Sequence, residues 1–210
     1  MKFENTEVWG FEHAIRGMRN PLESWKKSDS FIKSPHNYYV IGSNDLELMQ
    51  KLIKAGSEHR KFLRQIFVSV DITAPLYWWK ELDTYKVGTV SNSCSTMHKL
   101  ASTPITMDCF EMGDFEDLRL FDISTVWEIL IFDLERLRKL YNETRDKRYW
   151  KELIRLLPES WLQKRTITMS YENILNMYRQ RKNHKLTEWS KSFCDWVKTL
   201  PYAEELICLE

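Results

Sequence analysis

The sequence predicts an α+β fold in which a small, antiparallel sheet packs against long helices. Amphipathic helical patterns cover most of the chain, whereas 65–73 alternates with period two and is rich in β-branched residues. Six glycines and six prolines leave little room for linkers. The 210 residues are therefore expected to form a single domain, 1–210, with a sizeable core.

The middle of the chain predicts a helix, a strand and a second helix. A helix is predicted over 44–55, with Asn44 as its N-cap and Gly56 as its stop. The strand at 65–73 is followed by Pro75, which can open the next helix at 76–85. Further helices are predicted at 115–141, 145–157, 171–181 and 186–200, with weaker strands at 36–42 and 102–110.

Composition argues against several classes of protein. Lysine and arginine number 31 and aspartate and glutamate 30, so neither polymeric nucleic acid nor a membrane is expected as the main partner. The four cysteines lie far apart without a CxxC pair, which predicts free thiols, no metal site and a cytoplasmic location. No signal peptide or membrane-spanning apolar run is evident.

A tryptophan-rich segment runs directly into a polar one within 73–98. Trp78 and Trp79 are expected in the core rather than as a stacking platform. The polar run Asn92–Thr96 is expected to form a loop, which either caps a helix or holds a ligand. No P-loop, GxGxxG, HExxH or GxSxG motif accompanies it, so no strong local signature identifies the chemistry.

Several charged residues are candidates for ligand binding. His59 precedes the strand, where it either points into a cleft or lies on the surface among charges. Arg155, near a helix end, is suited to a phosphate but equally to a carboxylate or the helix carbonyls. Arg181, His184 and Glu188 are spaced three and four apart, which predicts one helical face. That face is either a ligand site or a solvated set of ion pairs.

Taken in order, these segments resemble the flavin-dependent thymidylate synthases, whose hallmark is Arg-His-Arg-x-x-Ser-x-Asn-Glu-x-Ser-x-Arg-Tyr. The family has a histidine before a strand, as His59 is here, and "ITAPLYWW" resembles its entry into the next helix. The hallmark falls on "YKVGTVSNSCSTMH", with Asn92 and Ser95 at its Asn and second Ser. "LIRLLPES" and "NILNMYRQRKNHKLTEW" resemble the family's later arginine with Leu-Pro and its final flavin- and nucleotide-binding helix.

The hallmark itself is degenerate. Its Arg-His-Arg is replaced by Tyr85-Lys86-Val87 in this alignment, or by Thr84-Tyr85-Lys86 if the segment is shifted by one residue. Ser93 stands at its Glu and Met97 at its last Arg. In the family these charges position the flavin and hold the dUMP phosphate, and each such contact contributes about 1.5–3 kcal/mol. Ordinary dUMP binding would then need compensation from other cations.

The resemblance implies a FAD-dependent enzyme, a nucleotide methyltransferase that transfers one carbon to C5 of a dUMP-type nucleotide. NADPH and methylenetetrahydrofolate would be its co-substrates. It further implies a homotetramer with sites between subunits, where Trp78, Trp79 and Tyr85 would serve at the contacts. The alternative is a non-catalytic nucleotide- or flavin-binding assembly protein on the same scaffold.

The resemblance assigns binding roles to nine residues and a catalytic role to none. The expected cofactor-binding residues are His59, Asn176 and His184. The expected substrate-binding residues are Lys86, Asn92, Ser93, Ser95, Arg155 and Arg181.

Overall fold

A computed structural model describes residues 1–35, 38–112 and 123–209. It confirms the predicted α+β class, with long helices and a small sheet. The Cα positions group into two compact units. Unit 1 comprises Met1–Lys2, Ile72–Thr84 and Asn92–Thr166, and unit 2 comprises Phe3–Asp71, Tyr85–Ser91 and Ile167–Glu210. The single domain stays a prediction.

The strands form two sheets. They are β1 (Lys2–Trp9), β2 (Phe31–Lys33), β3 (Tyr38–Val40), β4 (Phe67–Pro75), β5 (Val90–Ser93) and β6 (Leu162–Ser170). Four of them make one sheet in the order β1-β4-β6-β5, whereas β2 and β3 form a separate antiparallel pair.

The helices described are α1 (Phe11–Arg19), α2 (Ser43–Lys54), α3 (Leu76–Leu82), α4 (Thr96–Lys99), α5 (Ile123–Thr144), α6 (Lys147–Leu156), α7 (Tyr171–Arg181), α8 (Cys194–Lys198) and α9 (Ala203–Leu206). A π-helical stretch, Glu188–Phe193, leads into α8. In the described part of the chain, none of the helices combines the length and apolar character needed to cross a membrane.

Several predicted boundaries were wrong. The strand predicted at 65–73 begins at Phe67, because the preceding residues form a 3-10 turn that buries Phe62 and Leu63. The helix predicted at 76–85 ends at Leu82. The strand predicted at 102–110 is reduced to a single bridge between Phe110 and Trp161. The helix predicted at 115–141 is described from residue 123 onward, and its earlier part lies outside the described residues.

The predicted cap of α2 was also wrong. The helix begins at Ser43 with Gly42 as its N-cap. The carboxylate of Asp29 accepts from the backbone N–H groups of Asn44 and Asp45, at 2.9 and 3.1 Å. A side chain distant in sequence thus supplies the acceptor that Asn44 was expected to provide.

The two central strands lead directly into helices. Pro75 ends β4 and α3 begins at the next residue; Ser170 ends β6 and α7 begins at Tyr171. Ser170 caps α7 by accepting from the N–H of Asn173, whose side-chain oxygen accepts from the N–H of Ser170 in return. This capping box explains why α7 spans the residues predicted for it, 171–181.

Trp78 and Trp79 belong to the core of unit 1. Both are fully buried, which confirms their predicted core position and rules out the predicted use of these rings at subunit contacts. The indole of Trp79 donates to the carbonyls of Ala74 and Gln163, each at 3.0 Å. Its hydrogen bonds therefore fix the start of α3 against β6.

A buried ion pair organises one side of unit 2. Arg19 Nε donates to Asp45 Oδ1 at 2.6 Å, and the two side chains are 4% and 0% exposed. The other carboxylate oxygen accepts four further hydrogen bonds, from Ser28 Oγ, Asp29 N, Ser30 N and Ser30 Oγ. Burial by itself raises the pKa of Asp45, but the hydrogen bonds from Ser30, Ser28 and Arg19 outweigh it and hold this pKa below its usual value.

We expect Asp45→Asn to lower the free energy of unfolding by about 3–5 kcal/mol, because it leaves the Arg19 charge buried without its partner. Urea unfolding at neutral pH measures this loss. Since the folded pKa of Asp45 lies below the unfolded one, its stabilisation is present above about pH 4 and is lost as the pH falls further. The difference in the free energy of unfolding between the parent protein and the variant should therefore become smaller in acid. Glu47→Gln, at an exposed pair with Lys51, is the control and should change little.

Candidate functional site

The arginine cavity is a pocket of about 460 Å³ in unit 2. It lies among the turn before β4, the loop before β5 and the first turns of α7. Its lining residues are Ser57, Arg60, Arg64, Phe67, Val87, Gly88, Ser170, Glu172, Asn173 and Asn176. Of the predicted site residues, Asn176 belongs to it.

Two arginines converge on one carboxylate in this cavity. Arg60 Nε donates to Glu172 Oε1 at 3.2 Å, and Arg60 Nη2 donates to Asn176 Oδ1 at 3.0 Å. Arg64 pairs with the other oxygen of Glu172, and this hydrogen bond raises the pKa of Arg64. Glu172 and Asn176 lie four residues apart on α7 and so share the face that meets both arginines.

A third arginine adds to the positive charge beside the cavity. Arg179 lies one turn beyond Asn176, and burial followed by repulsion from Arg60 lowers the pKa of Arg179. Since Glu172 is the carboxylate that both Arg60 and Arg64 contact, the group keeps a surplus of positive charge. Guanidinium groups in such an arrangement are suited to phosphate or carboxylate oxygens.

The loop before β5 is fixed to α7. Asn173 Nδ2 donates to the carbonyl of Val87 at 2.7 Å. Gly88 has φ +75°, and a Cβ at this position would lie 3.2 Å from Asn173 Oδ1. Both the backbone angle and the close approach therefore favour glycine here.

Arg181 is packed between two aromatic rings. Its guanidinium carbon lies 5.6 Å from the ring centre of Tyr85 and 5.0 Å from that of Trp189. Its Nε donates to the Tyr85 hydroxyl at 2.9 Å, and this hydroxyl donates to Gln180 Oε1 at 2.8 Å. The prediction that Arg181, His184 and Glu188 share a helical face was wrong, because α7 ends at Arg181 and a turn separates it from the π-helical stretch.

A second cavity, the unit 1 cavity, holds about 780 Å³. Its lining includes hydroxyl groups, lysines, carboxylates and aromatic rings, notably Ser95, Thr96, Lys2, Lys99, Lys164, Asp108, Glu111, Phe110 and Trp161. Ser95 lies at its edge as the N-cap of α4, accepting from the N–H of His98 at 3.2 Å. Gln163 Nε2 donates to the Cys94 carbonyl at 2.9 Å and ties the polar run to β6.

The predicted loop at 92–96 was only partly right. Asn92 and Ser93 are exposed residues of β5, whereas Ser95 caps a helix and lines the unit 1 cavity. The helix-cap alternative is therefore confirmed at Ser95, whereas ligand binding by this run stays a prediction.

The remaining predicted residues occupy separate surroundings. Lys86 is exposed, and Arg155 is exposed beside Glu152 at 3.1 Å. His184 lies in the turn after α7, where its Nδ1 accepts from the Leu186 N–H at 3.2 Å. His59 is exposed and lines a third cavity, in unit 2.

Arg60, Arg64 and Glu172 were missed from the sequence. The signal available for the arginines was their spacing of four within "EHRKFLRQ", the stretch in which His59 alone was singled out. Among the residues that the structure describes, no group of three or more His, Cys, Asp or Glu side chains is arranged to hold a metal ion.

No protein-family model and no curated protein sequence matches the chain. Its fold is similar to that of ThyX from Helicobacter pylori, a flavin-dependent thymidylate synthase solved with FAD and dUMP. One such structure has a TM-score of 0.72 at 18% sequence identity and covers 100% of both chains. Another has a TM-score of 0.70 at 18% identity, covering 99% of this chain and 97% of that one. At this identity the likeness establishes the shared fold.

We expect Arg181→Ala to lower the free energy of unfolding by about 1–3 kcal/mol, because it removes two ring contacts and a hydrogen bond. Chemical denaturation measures the change. Arg16→Ala, at an exposed arginine of unit 2, is the matched control. An Arg181→Ala protein as stable as the parent would show that this packing contributes nothing to unit 2.

Proposed function

We propose that this chain is a flavin-dependent enzyme of the thymidylate synthase type. It would bind FAD and transfer one carbon from methylenetetrahydrofolate to C5 of a dUMP-type nucleotide, with NADPH as the reductant. The observation that carries the proposal is the arginine cavity beside the loop from Val87 to Gly88, in a chain with the complete fold of the FAD- and dUMP-bound proteins.

The arginine cavity fits the phosphates of FAD. Its volume of about 460 Å³ lies within the usual range of ligand pockets, roughly 300–1,000 Å³. Arg60, Arg64 and Asn176 would hold the phosphate oxygens, and Phe67 supplies an apolar wall. FAD, when bound, supplies the hydride chemistry, while the protein binds and orients it. His59 and His184 remain proposed cofactor contacts.

The unit 1 cavity suits the nucleotide. Ser95 offers a hydroxyl group and Lys99 offers a cation for a phosphate, while Trp161 offers a ring face for a pyrimidine. Ser95 is therefore a proposed substrate contact, because its hydroxyl group lines this cavity. Lys86, Asn92, Ser93, Arg155 and Arg181 are proposed on the resemblance of their segments to the family.

A specific observation favours the alternative function. Ser93 and Met97 stand where the family's hallmark has Glu and Arg, and both side chains are exposed, Met97 by 51%. Neither residue can supply the charge of the family residue. A non-catalytic nucleotide- or flavin-binding assembly protein would need the cavities for binding, but it would not need these two charges.

We expect the purified protein to take up FAD and to show the absorption of an oxidised flavin. Arg64→Ala should weaken FAD binding about ten- to a hundredfold, because it removes the charge-assisted hydrogen bond between the half-exposed Arg64 guanidinium and a phosphate of FAD. Arg16→Ala is the control, since Arg16 does not line the cavity. Titration calorimetry measures both affinities. A colourless protein that fails to take up added FAD would contradict the proposal.

Catalysis is distinguished from binding alone by NADPH oxidation in the presence of FAD, methylenetetrahydrofolate and dUMP. The enzyme proposal expects oxidation that depends on the nucleotide, with a methylated product. Tight FAD or dUMP binding without turnover would support the assembly protein instead.

The homotetramer is proposed on the resemblance and on an exposed apolar stripe of α5. Val126, Ile129 and Phe132 recur every three residues and are 63%, 58% and 67% exposed. An apolar groove of about 680 Å³ follows the same helix beside Ile131 and Leu140. Contiguous exposed apolar residues of this kind mark association surfaces.

The charges along α5 favour a second copy as the partner. Glu128 lies one turn before Phe132, whereas Arg136 and Lys139 lie one and two turns after it. Two copies packed antiparallel about Phe132 would bring Glu128 of each helix towards Arg136 of the other.

Phe132→Ser should shift the assembly towards smaller species at micromolar concentration, since each buried phenylalanine contributes about 1.5–3 kcal/mol. Light scattering coupled to gel filtration measures the mass. Leu156→Ser, at an exposed leucine of α6, should leave the mass unchanged. A monomeric parent protein would exclude the tetramer.

A further inference from the structure

The arginine cavity already contains an anion that belongs to the protein itself, the carboxylate of Glu172. Its two oxygens are divided between two guanidinium groups: Oε1 accepts from Arg60 Nε at 3.2 Å, and Oε2 accepts from Arg64 Nε. The Glu172 side chain is only 9% exposed. A phosphate that bridged the same two arginines would use its oxygens in the same way. Glu172 therefore occupies the donors that an anionic ligand of this cavity would use.

The start of α7 is a further reason for an anion to lie here. Glu172 belongs to the first turn of this helix, two residues after the N-cap Ser170. The N-terminal end of a helix carries partial positive charge and favours negative groups. Ser170 and Asn173, which cap each other at this end, line the same cavity. The helix end and two arginines thus converge on one built-in carboxylate.

The two arginines are held by Glu172 to different degrees. Arg60 is largely buried and has a second partner, since its Nη2 donates to Asn176 Oδ1 at 3.0 Å. The side chain of Arg64 is half-exposed. A half-exposed guanidinium can change partners at little cost, because water solvates it during the exchange. Arg64 is therefore the residue for which Glu172 and a ligand compete.

A second carboxylate near Arg64 differs from Glu172 in its surroundings. Glu58 attracts Arg64 by its charge, but it is 80% exposed, pairs with Lys61 at 3.7 Å and lies outside the residues that line the cavity. Exposed carboxylates compete weakly because water and salt screen them. Glu172 and Glu58 thus offer a matched comparison, with one carboxylate inside the cavity and one outside it.

We propose that Glu172 is autoinhibitory: in the ligand-free protein it holds Arg64, and an anionic ligand must take Arg64 from it. Breaking this ion pair offsets part of the binding free energy and lowers the apparent affinity of the cavity. The inference rests on the anion binding proposed for the arginine cavity and extends it to the control of that binding. Removing the Glu172 charge should therefore strengthen binding, whereas removing an ordinary contact residue would weaken it.

Titration calorimetry with the full-length protein tests this competition, with inorganic pyrophosphate and FAD as separate probes. Glu172→Gln keeps the shape of the side chain and an oxygen acceptor for Arg60, but it removes the negative charge. We expect this variant to bind pyrophosphate about five- to tenfold more tightly than the parent protein. Glu58→Gln removes the same charge outside the cavity and should change the affinity by less than about twofold. Pyrophosphate binding that is unchanged, weaker or undetectable in Glu172→Gln would overturn the proposal.

A double variant assigns the gain in affinity to Arg64. With Arg64→Ala in place, the contact for which Glu172 and the ligand compete is absent, so adding Glu172→Gln should give a smaller gain. A gain of equal size in both backgrounds would show that Glu172 acts through general charge alone and would overturn the assignment.

Thermal unfolding verifies that each variant is folded. If Glu172→Gln does not fold, Glu172→Asp takes its place, because it keeps a charge beside Arg60 and shortens the reach to Arg64 by one methylene group. This variant should also bind pyrophosphate more tightly than the parent protein. Unchanged or weaker binding by it would contradict the competition.

The two probes separate this inference from the proposed flavin function. If no protein binds FAD but Glu172→Gln binds pyrophosphate more tightly, the flavin function fails and the autoinhibition is supported. If the parent protein binds FAD but Glu172→Gln binds neither probe more tightly, the autoinhibition fails and the flavin function is supported.

Discussion

The buried pair between Arg19 and Asp45 is the interaction on which one side of unit 2 depends. A carboxylate removed from water is tolerated only when its oxygens are paired and hydrogen-bonded. Asp45 meets this condition with donors from Arg19, Ser28, Asp29 and Ser30. The pair thus joins the end of α1 to the start of α2 and holds part of the segment between them, from Ser24 to Ser30.

The second constraint is the direct passage from β6 into α7. Because Ser170 is both the last strand residue and the helix cap, the rotation of α7 about its axis is set by the strand. That rotation directs Glu172 and Asn176 towards Arg60, and Asn173 towards the carbonyl of Val87. One junction thus positions the polar wall of the arginine cavity and the loop opposite it.

The sequence predicted those features that depend on local pattern. The α7 helix was predicted with its observed ends, and the core position of Trp78 and Trp79 followed from their apolar surroundings. Features made by distant residues were missed. Asp29 provides the acceptors expected from Asn44, and Arg60 meets Glu172 across 112 residues of sequence. Periodicity carries no information about such pairs, so the arginine cavity emerged only with the tertiary structure.

The two arginines of the cavity are not equivalent, and this difference bears on the proposed function. Arg60 is 12% exposed and its hydrogen bonds go to Glu172 and Asn176, whereas the side chain of Arg64 is 54% exposed. A buried guanidinium that lost Glu172 would be left without its compensating charge, so Glu172 stabilises the cavity before any ligand binds. An incoming phosphate can recruit Arg64 without exposing Arg60, because the half-exposed side chain loses little by changing partners.

The cations of this cavity come from the segment before β4, whereas the family's hallmark places them in the loop after α3. Anion binding at the arginine cavity, which the proposed flavin site requires, would therefore not depend on an Arg-His-Arg sequence.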